Sequence, residues 1–234
     1  SLISWVYNFY NTYYGYPMLD WAKSITAVSQ YARDFEIFSN YKSKIQIIWN
    51  GINPKDYTKT ENNIYIEKWI WKTKNSLTIL SLWRIEWIKW FDKIIQLIPE
   101  MIQKWYEVEY VIAGRDNGAK SWLIELAKEL RISDRIHYLG FIEDKEKVSA
   151  LTHCDIVAIP SETESYWLVA LEARIFSKPI ITTFAGGLKD ALLWYNSAYK
   201  LEEYEKTFAN NSIEDKNISD FYWQEIASKY LLTK

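Results

Sequence analysis

SLTILSLWRIEWIKWFDKII, residues 76–95, carries the decision about the fold. Its opening, SLTILSL (76–82), is an apolar, partly β-branched run of the length of a buried strand. Phe91, Ile94 and Ile95 then begin one helical face, which Ile98 continues. The two patterns meet in a turn that holds Arg84 and Lys89 together with Trp83, Trp87 and Trp90. A buried strand running through a short turn into an amphipathic helix is the repeating unit of a parallel sheet covered on both faces.

The unit recurs downstream. EVEYVIAG (107–114), RIHYLG (135–140), DIVAIPS (155–161) and PIITT (179–183) read as further strands. SWLIELAKEL (121–130), DKEKVSAL (144–151) and LVALEARIF (168–176) read as the helices between them, and AGGLKDALL supplies one more after the last strand. With right-handed crossovers, five strands and their helices predict an α/β, Rossmann-like, doubly wound parallel sheet. Pro99 is expected to end the first helix and restart a second short one. Upstream, SITAVS (24–29) and KIQIIWNGI (44–52) read as strands around a helix over QYARDFEIFSN, the second strand closing in an Asn-Gly turn. The polar stretch 54–75 reads as a connection. Beyond residue 200 the chain is charged and irregular until FYWQEIASKYLL (221–232), an amphipathic helix.

Composition narrows the function. Lys+Arg 28 against Asp+Glu 30 gives a net charge of −2, which leaves no basic footprint for nucleic acid, so any anion site must be local. The single Cys154 excludes an intrachain disulfide and fits a reducing compartment. No run approaches the ~18–20 apolar residues of a membrane span, and the start lacks the order of a signal peptide. A cytoplasmic protein is expected, and the start at Ser1 inside an aromatic segment suggests a piece of a longer chain. His137 and His153 read as packing or surface residues that make no metal spacing with Cys154. No Walker loop, nucleophile elbow or zinc pattern occurs.

Sheets of this kind bind ligands outside the carboxyl ends of their strands. Arg84 offers a planar fork and Lys89 a mobile point charge beside a helix N-terminus, which suits a diphosphate; taken alone, the pair reads more readily as a solvated basic turn. Glu164 falls in the loop after the fourth strand, and Glu172 inside the apolar helix that follows. A carboxylate buried there needs a partner, and a ribose diol would be one. Gly114 in AGRDNG and the glycines of AGG (185–187) stand at strand ends where a backbone can approach a ligand closely. Neither completes a GxGxxG fingerprint.

In this order the pieces resemble the group 1, or family 4, glycosyltransferases, retaining enzymes of the two-domain GT-B fold. LWRIEWIKWFDKII is similar to the family's G-R-x(4)-K-G phosphate turn, DIVAIPSETESYWLVALEA to its E-x(7)-E block, and TTFAGGLKDAL to its Gly-Gly loop; ITAVS, IIWNGIN, YVIAGRDNG and RIHYLGFI fit the flanking strands. The resemblance implies that 1–53 is the end of an acceptor-side domain and 54–75 the interdomain connection. It makes 76–200 the nucleotide-sugar domain and 201–234 an irregular segment with a closing helix. Arg84 and Lys89 would neutralise the donor diphosphate, and Glu172 would hold the ribose hydroxyls. Glu164 would be the catalytic contact to the donor sugar. Backbone at Leu168 and Val169 would reach sugar and phosphate, backbone at Phe141 and Ile142 would face the base, and Gly114 would admit the donor.

The same resemblance implies no metal and no cofactor besides the nucleotide-diphosphate sugar. The acceptor would be a glycan, a lipid or another hydroxyl compound, the setting glycan biosynthesis, with peripheral membrane contact through the N-terminal domain. Most of that domain, including its glycine-rich loop and histidine, is not in this chain, and Asp190 stands where the family often has glutamate. A nucleotide-sugar epimerase of the GT-B fold and a catalytically inactive interaction domain are the alternatives.

Trp83, Trp90 and Trp167 occupy positions where the family has glycine, and Trp69, Trp71, Trp87, Trp105, Trp122 and Trp194 stand where glycine would suit a turn or cap. Trp223 breaks the pattern, because the family often has tryptophan there. The chain has 13 Trp and 7 Gly, whereas the ordinary glycine share would give roughly 16. Some bacterial lineages read UGA as glycine and others as tryptophan. The composition therefore leads us to expect a glycine-recoded gene read with the tryptophan code, an expectation that UGG codons at 83, 90 and 167 would end.

Overall fold

In the computed structural model, which describes residues 22–58, 76–164, 168–193, 195–208, 222, 224 and 225, the first unit is a small parallel pair. Ile25–Ala27 (β1) runs beside Ile45–Ile47 (β2). Between them lie a short helix, Gln30–Arg33 (α1), capped by Ser29 Oγ on the Ala32 amide at 2.9 Å, and a 3₁₀ stretch, Glu36–Lys44. The single helix expected over this region is thus broken. α1 buries none of its residues, so no apolar face holds a longer helix together.

The main sheet has six strands: Leu77–Leu82 (β3), Val108–Ala113 (β4), Ile136–Gly140 (β5), Ile156–Ile159 (β6), Ile180–Thr182 (β7) and Ala198–Lys200 (β8). They stand in the order β5-β4-β3-β6-β7-β8, every neighbour parallel. β8 corrects the five-strand reading. Its sequence, AYK, is too short to show a strand pattern, and it forms by pairing with the otherwise open edge of β7. The strand order reverses between β3 and β6, which makes the crevice at their carboxyl ends the natural ligand site. Successive strand residues feed opposite faces. Leu80, Val111 and Val157 pack with Leu171 on one side, while Ile79, Tyr110 and Ile112 pack with Ile95 on the other.

Helix α2 spans Phe91–Gln103 and runs straight through Pro99, where the sequence predicted a break. Proline inside a helix costs about 3 kcal/mol. Ile94, Ile95, Ile98 and Met101 are all fully buried on one face, and each contributes roughly 1.5–3 kcal/mol. Tertiary burial therefore outweighs the local penalty. Helices Lys120–Glu129 (α3), Asp144–His153 (α4), Leu168–Ile175 (α5), Leu188–Ala191 (α6) and Glu205–Phe208 (α7) complete the unit. Tyr204 and Phe208 pack on the core, so the beginning of the segment read as irregular is ordered. Apart from Tyr222, Gln224 and Glu225, the closing helix expected at 221–232 lies outside the described residues.

α2 ends with the Tyr106 amide on the Met101 carbonyl at 3.0 Å and the Trp105 amide on the Ile102 carbonyl at 2.9 Å. This double bond pattern requires a left-handed residue, usually glycine, between helix and exit. Trp105 fills it with φ 67, and Trp90, where α2 begins, has φ 49. α3 and α5 end in the same way on Arg131 (φ 58) and Ser177 (φ 53). Of the tryptophans read as displaced glycines, Trp83, Trp87 and Trp122 do not have left-handed backbone. Trp69, Trp71, Trp167 and Trp194 lie outside the described residues.

A bulky side chain at such a φ costs roughly 1–2 kcal/mol. Trp105 is 94% exposed, so its indole gains almost no burial to offset this. Glycine gives back about 0.5–1 kcal/mol through the extra freedom of the unfolded chain. Trp105→Gly is accordingly expected to stabilise by about 0.5–1 kcal/mol, or roughly 1–4 °C in Tm for a chain of this size. Trp105→Ala, which keeps a Cβ, should gain little in the same calorimetric melt; equal gains from both would refute the backbone argument.

Candidate functional site

Because the strands of the main sheet are parallel, their carboxyl ends open on one side, and a cavity of about 420 Å³ lies there. The exit of β3 supplies Leu82, Trp83 and Arg84, and that of β4 supplies Ala113, Gly114 and Arg115. Phe141 and Ile142 come from the turn after β5, Lys147 from α4, and Leu168, Val169 and Glu172 from α5. Arg84, Gly114, Phe141, Ile142, Leu168, Val169 and Glu172, singled out in distant segments of the sequence, thus meet around one space.

Glycine at 114 is a packing necessity. A Cβ built there would lie 1.7 Å from the Trp83 carbonyl oxygen, so only a bare backbone lets the exits of β3 and β4 pass. The Gly114 amide also donates to the Gly140 carbonyl at 2.7 Å, extending the sheet's bonding to the rim of the cavity.

Lys89 and Glu164 do not line the cavity. The Lys89 ammonium donates to Glu164 Oε1, and both side chains are buried. The ammonium also sits 4.8 Å from the centre of the Trp83 ring, and the same indole lines the cavity. The indole is therefore in contact with the ion pair on one hand and the open space on the other. The pair is fixed by backbone: the Glu162 amide bonds the Ile88 carbonyl at 2.9 Å, and the Gly187 amide bonds the Glu164 carbonyl at 2.6 Å. Gly186, at φ 56, approaches so closely that a Cβ would lie 2.2 Å from the Glu164 oxygen. The Lys89 turn, the Glu164 loop and the Gly-Gly loop form one bonded layer. Burial pushes the Glu164 carboxyl above its ordinary pKa, with Lys89 acting in the opposite sense.

Glu172 is buried within an apolar helix, as the sequence required, and its partners come from the protein. Tyr57 Oη donates to Glu172 Oε1 at 2.8 Å, and Lys147 Nζ to the same oxygen at 2.7 Å. Burial and the adjacent carboxylate raise the Tyr57 pKa, which keeps the phenol a donor. For Lys147, burial opposes the charge, but Glu172 and Asp144 outweigh it and the pKa is raised. Neither residue carried a signal in the sequence, since each depends on a tertiary contact to Glu172.

Arg84 is 57% exposed and reaches Glu86 at 3.6 Å, a surface pairing of small worth. Arg115 stacks its guanidinium 4.7 Å from the centre of the Phe141 ring. Arg84, Arg115 and Lys147 against Glu172 make the lining locally positive in a chain of net charge −2. His137 Nε2 pairs with Glu109 Oε2 at 2.7 Å, and His153 Nδ1 lies 2.8 Å from the Ser149 carbonyl oxygen; neither lines the cavity. Among the described residues, no group of three His, Cys, Asp or Glu side chains could hold a metal ion, and no helix is long and apolar enough to cross a membrane. The first unit touches this side of the sheet through the Gln30 amide on Asp190 Oδ2 at 2.7 Å and through Tyr31 Oη with Thr163 Oγ1 at 2.9 Å.

The family model for glycosyl transferases group 1 matches residues 65–215, more than half of the chain, and takes in every site residue singled out in the sequence. The chain belongs to that family. Among curated relatives of the chain, the D-inositol 3-phosphate glycosyltransferase of Stackebrandtia nassauensis is 26% identical over 188 residues, 76% of this chain and 41% of that protein. An uncharacterised glycosyltransferase of Methanocaldococcus jannaschii is 27% identical over 159 residues, 67% of this chain and 40% of its own length. The chain thus spans about two fifths of the length of these relatives. Among solved structures, a glycosyltransferase of Rickettsia africae superposes with a TM-score of 0.77 at 18% identity, over 97% of this chain and 66% of that one. Anabaena HepE, solved with UDP and glucose, gives 0.74 at 19% identity over 91% and 62%. The sheet and its small N-terminal unit accordingly have the GT-B architecture.

Proposed function

We propose that this chain carries the donor-binding half of a retaining glycosyltransferase, which moves a sugar from a nucleotide-diphosphate sugar to an acceptor hydroxyl. The observation that carries this reading is the convergence of Arg84, Gly114, Phe141, Ile142 and Glu172 on one positively lined cavity where the strand order reverses. That HepE was solved with UDP and glucose supports a nucleotide-sugar donor.

In this reading the base lies against the backbone of Phe141 and Ile142, the ribose diol reaches Glu172, and the diphosphate faces Arg84 and, past position 83, Lys89. Negative charge builds on the diphosphate as its bond to the anomeric carbon breaks, while the acceptor hydroxyl bonds to that carbon and gives up its proton to the departing phosphate oxygen. Fixed cations stabilise that charge where it develops, which is the reason no metal is required. Glu164, held by Lys89 and the Gly-Gly loop, does not line the cavity, and its contact with the sugar, like that of Lys89 with the diphosphate, depends on what stands at position 83.

Calorimetric titration with UDP-, GDP- and ADP-sugars tests this, on the present chain and on one with glycine at 83, 90 and 167. One donor should bind. Arg84→Ala should weaken it by roughly tenfold to a hundredfold, the worth of a charged hydrogen bond. Binding of none of the three to either chain, or full affinity in Arg84→Ala, would overturn the reading. Retention is read separately from the anomeric configuration of the product.

A further inference from the structure

The Glu172 carboxylate is held by two residues that the family resemblance did not assign, and one of them, Tyr57, lies before the segment that the family model matches. Tyr57 closes the 3₁₀ turn Pro54–Tyr57 in the connection between the two units. Asn53 caps that turn through its Oδ1 on the Lys55 amide at 3.3 Å. The Tyr57 ring stands edge-on to Phe176 with centres 6.4 Å apart, and Lys147 Nζ lies 5.8 Å from its centre. The phenol is thus braced by packing on Phe176, just past the end of α5, and by the cation that shares its acceptor. Both donors meet one oxygen, Oε1, which fixes the rotation of the carboxylate about its last bond.

We infer that Tyr57 and Lys147 are positioning residues that orient Glu172 so that its other oxygen meets the ribose diol of the donor, making the site selective for ribonucleotides. The inference rests on the donor-binding reading of the cavity. The chemistry follows from the donor set. A carboxylate with one oxygen taken by a phenol and an ammonium presents the lone pairs of its other oxygen in a single direction. A vicinal diol, with its two hydroxyl donors close together, fits such an acceptor, while a deoxyribose does not. Because Tyr57 stands on the connection, donor selectivity in this chain depends on a residue outside the donor sheet.

The test compares the tightest-binding member of UDP, GDP and ADP with its 2′,3′-dideoxy analogue on the full chain. The variants are Tyr57→Phe, Lys147→Met, Lys147→Arg and Glu172→Ala, with Tm followed in each. Tyr57→Phe and Lys147→Met should each weaken the ribonucleotide by about tenfold, the worth of a hydrogen bond to a charged group, and leave the dideoxy analogue nearly unchanged. Lys147→Arg should recover most of the loss, and Glu172→Ala should abolish the difference between the two nucleotides. Equal weakening of both nucleotides, or no weakening, would overturn the positioning role. Tighter ribonucleotide binding by Tyr57→Phe would also overturn it, because the phenol would then be occupying the place of the diol. If no nucleoside diphosphate binds the unsubstituted chain or its glycine-83 form, the donor-binding reading itself falls, and this inference with it.

Discussion

Trp83→Gly is expected to tighten nucleotide-sugar binding by at least about tenfold. The indole lines the cavity and lies against the Lys89 ammonium, so removing it enlarges the space and exposes a buried cation to the donor phosphates. A new charge-assisted contact is worth about 1.5–3 kcal/mol, which is the origin of the tenfold floor. The gain does not come from backbone strain, because Trp83 is not left-handed. Stability should move the other way. Trp83 packs against both core clusters, and its loss costs something below the ~3–5 kcal/mol of a fully buried tryptophan. Tighter binding with a lower Tm is therefore the signature, read by titration and melting on the same sample, and Trp83→Ala should share much of it. Unchanged or weaker binding by the glycine variant would make the indole part of the site and count against a recoded glycine at 83.

How far the sequence disclosed this architecture follows from where each signal resides. Buried parallel strands such as Leu77–Leu82 and Val108–Ala113 announce themselves as apolar runs because both faces are covered. Ala198–Lys200 has no such run; its pairing is imposed by the edge of β7. Pro99 misled because local propensity is a weak prior beside a fully buried helix face. Within the site, Arg84 and Glu172 were legible because strand ends and a lone carboxylate in an apolar helix are local features. Tyr57 was not, since it reaches Glu172 across 115 residues. Lys89 was visible as a cation, but its burial against Glu164 arises from the Trp83 ring and the Glu162–Ile88 bond, which no spacing encodes.

Lys89→Met should lower stability by about 3–5 kcal/mol at neutral pH, because it leaves Glu164 buried without its counter-charge. Lys89→Met combined with Glu164→Gln should recover most of the loss, since the double variant has no buried charge left to compensate. The pH dependence has a definite sign. Burial raises the folded pKa of Glu164 despite Lys89. A carboxyl of this kind contributes its stability below the unfolded pKa, at about 4.3, and loses it as pH rises through the folded value. Taking Lys89 away removes the influence that lowers that value, so the folded pKa climbs further and the interval of loss extends upward. The deficit of Lys89→Met is therefore smallest near about pH 4 and grows toward neutrality. Urea unfolding at both pH values checks this, and a deficit independent of pH, or one that Glu164→Gln fails to relieve, would sink it. If the deficit behaves as expected, Lys89 is what offsets the burial of the Glu164 carboxylate, and in the proposed donor-binding reading the pair that stabilises the loop also governs the charge that position 83 separates from the cavity.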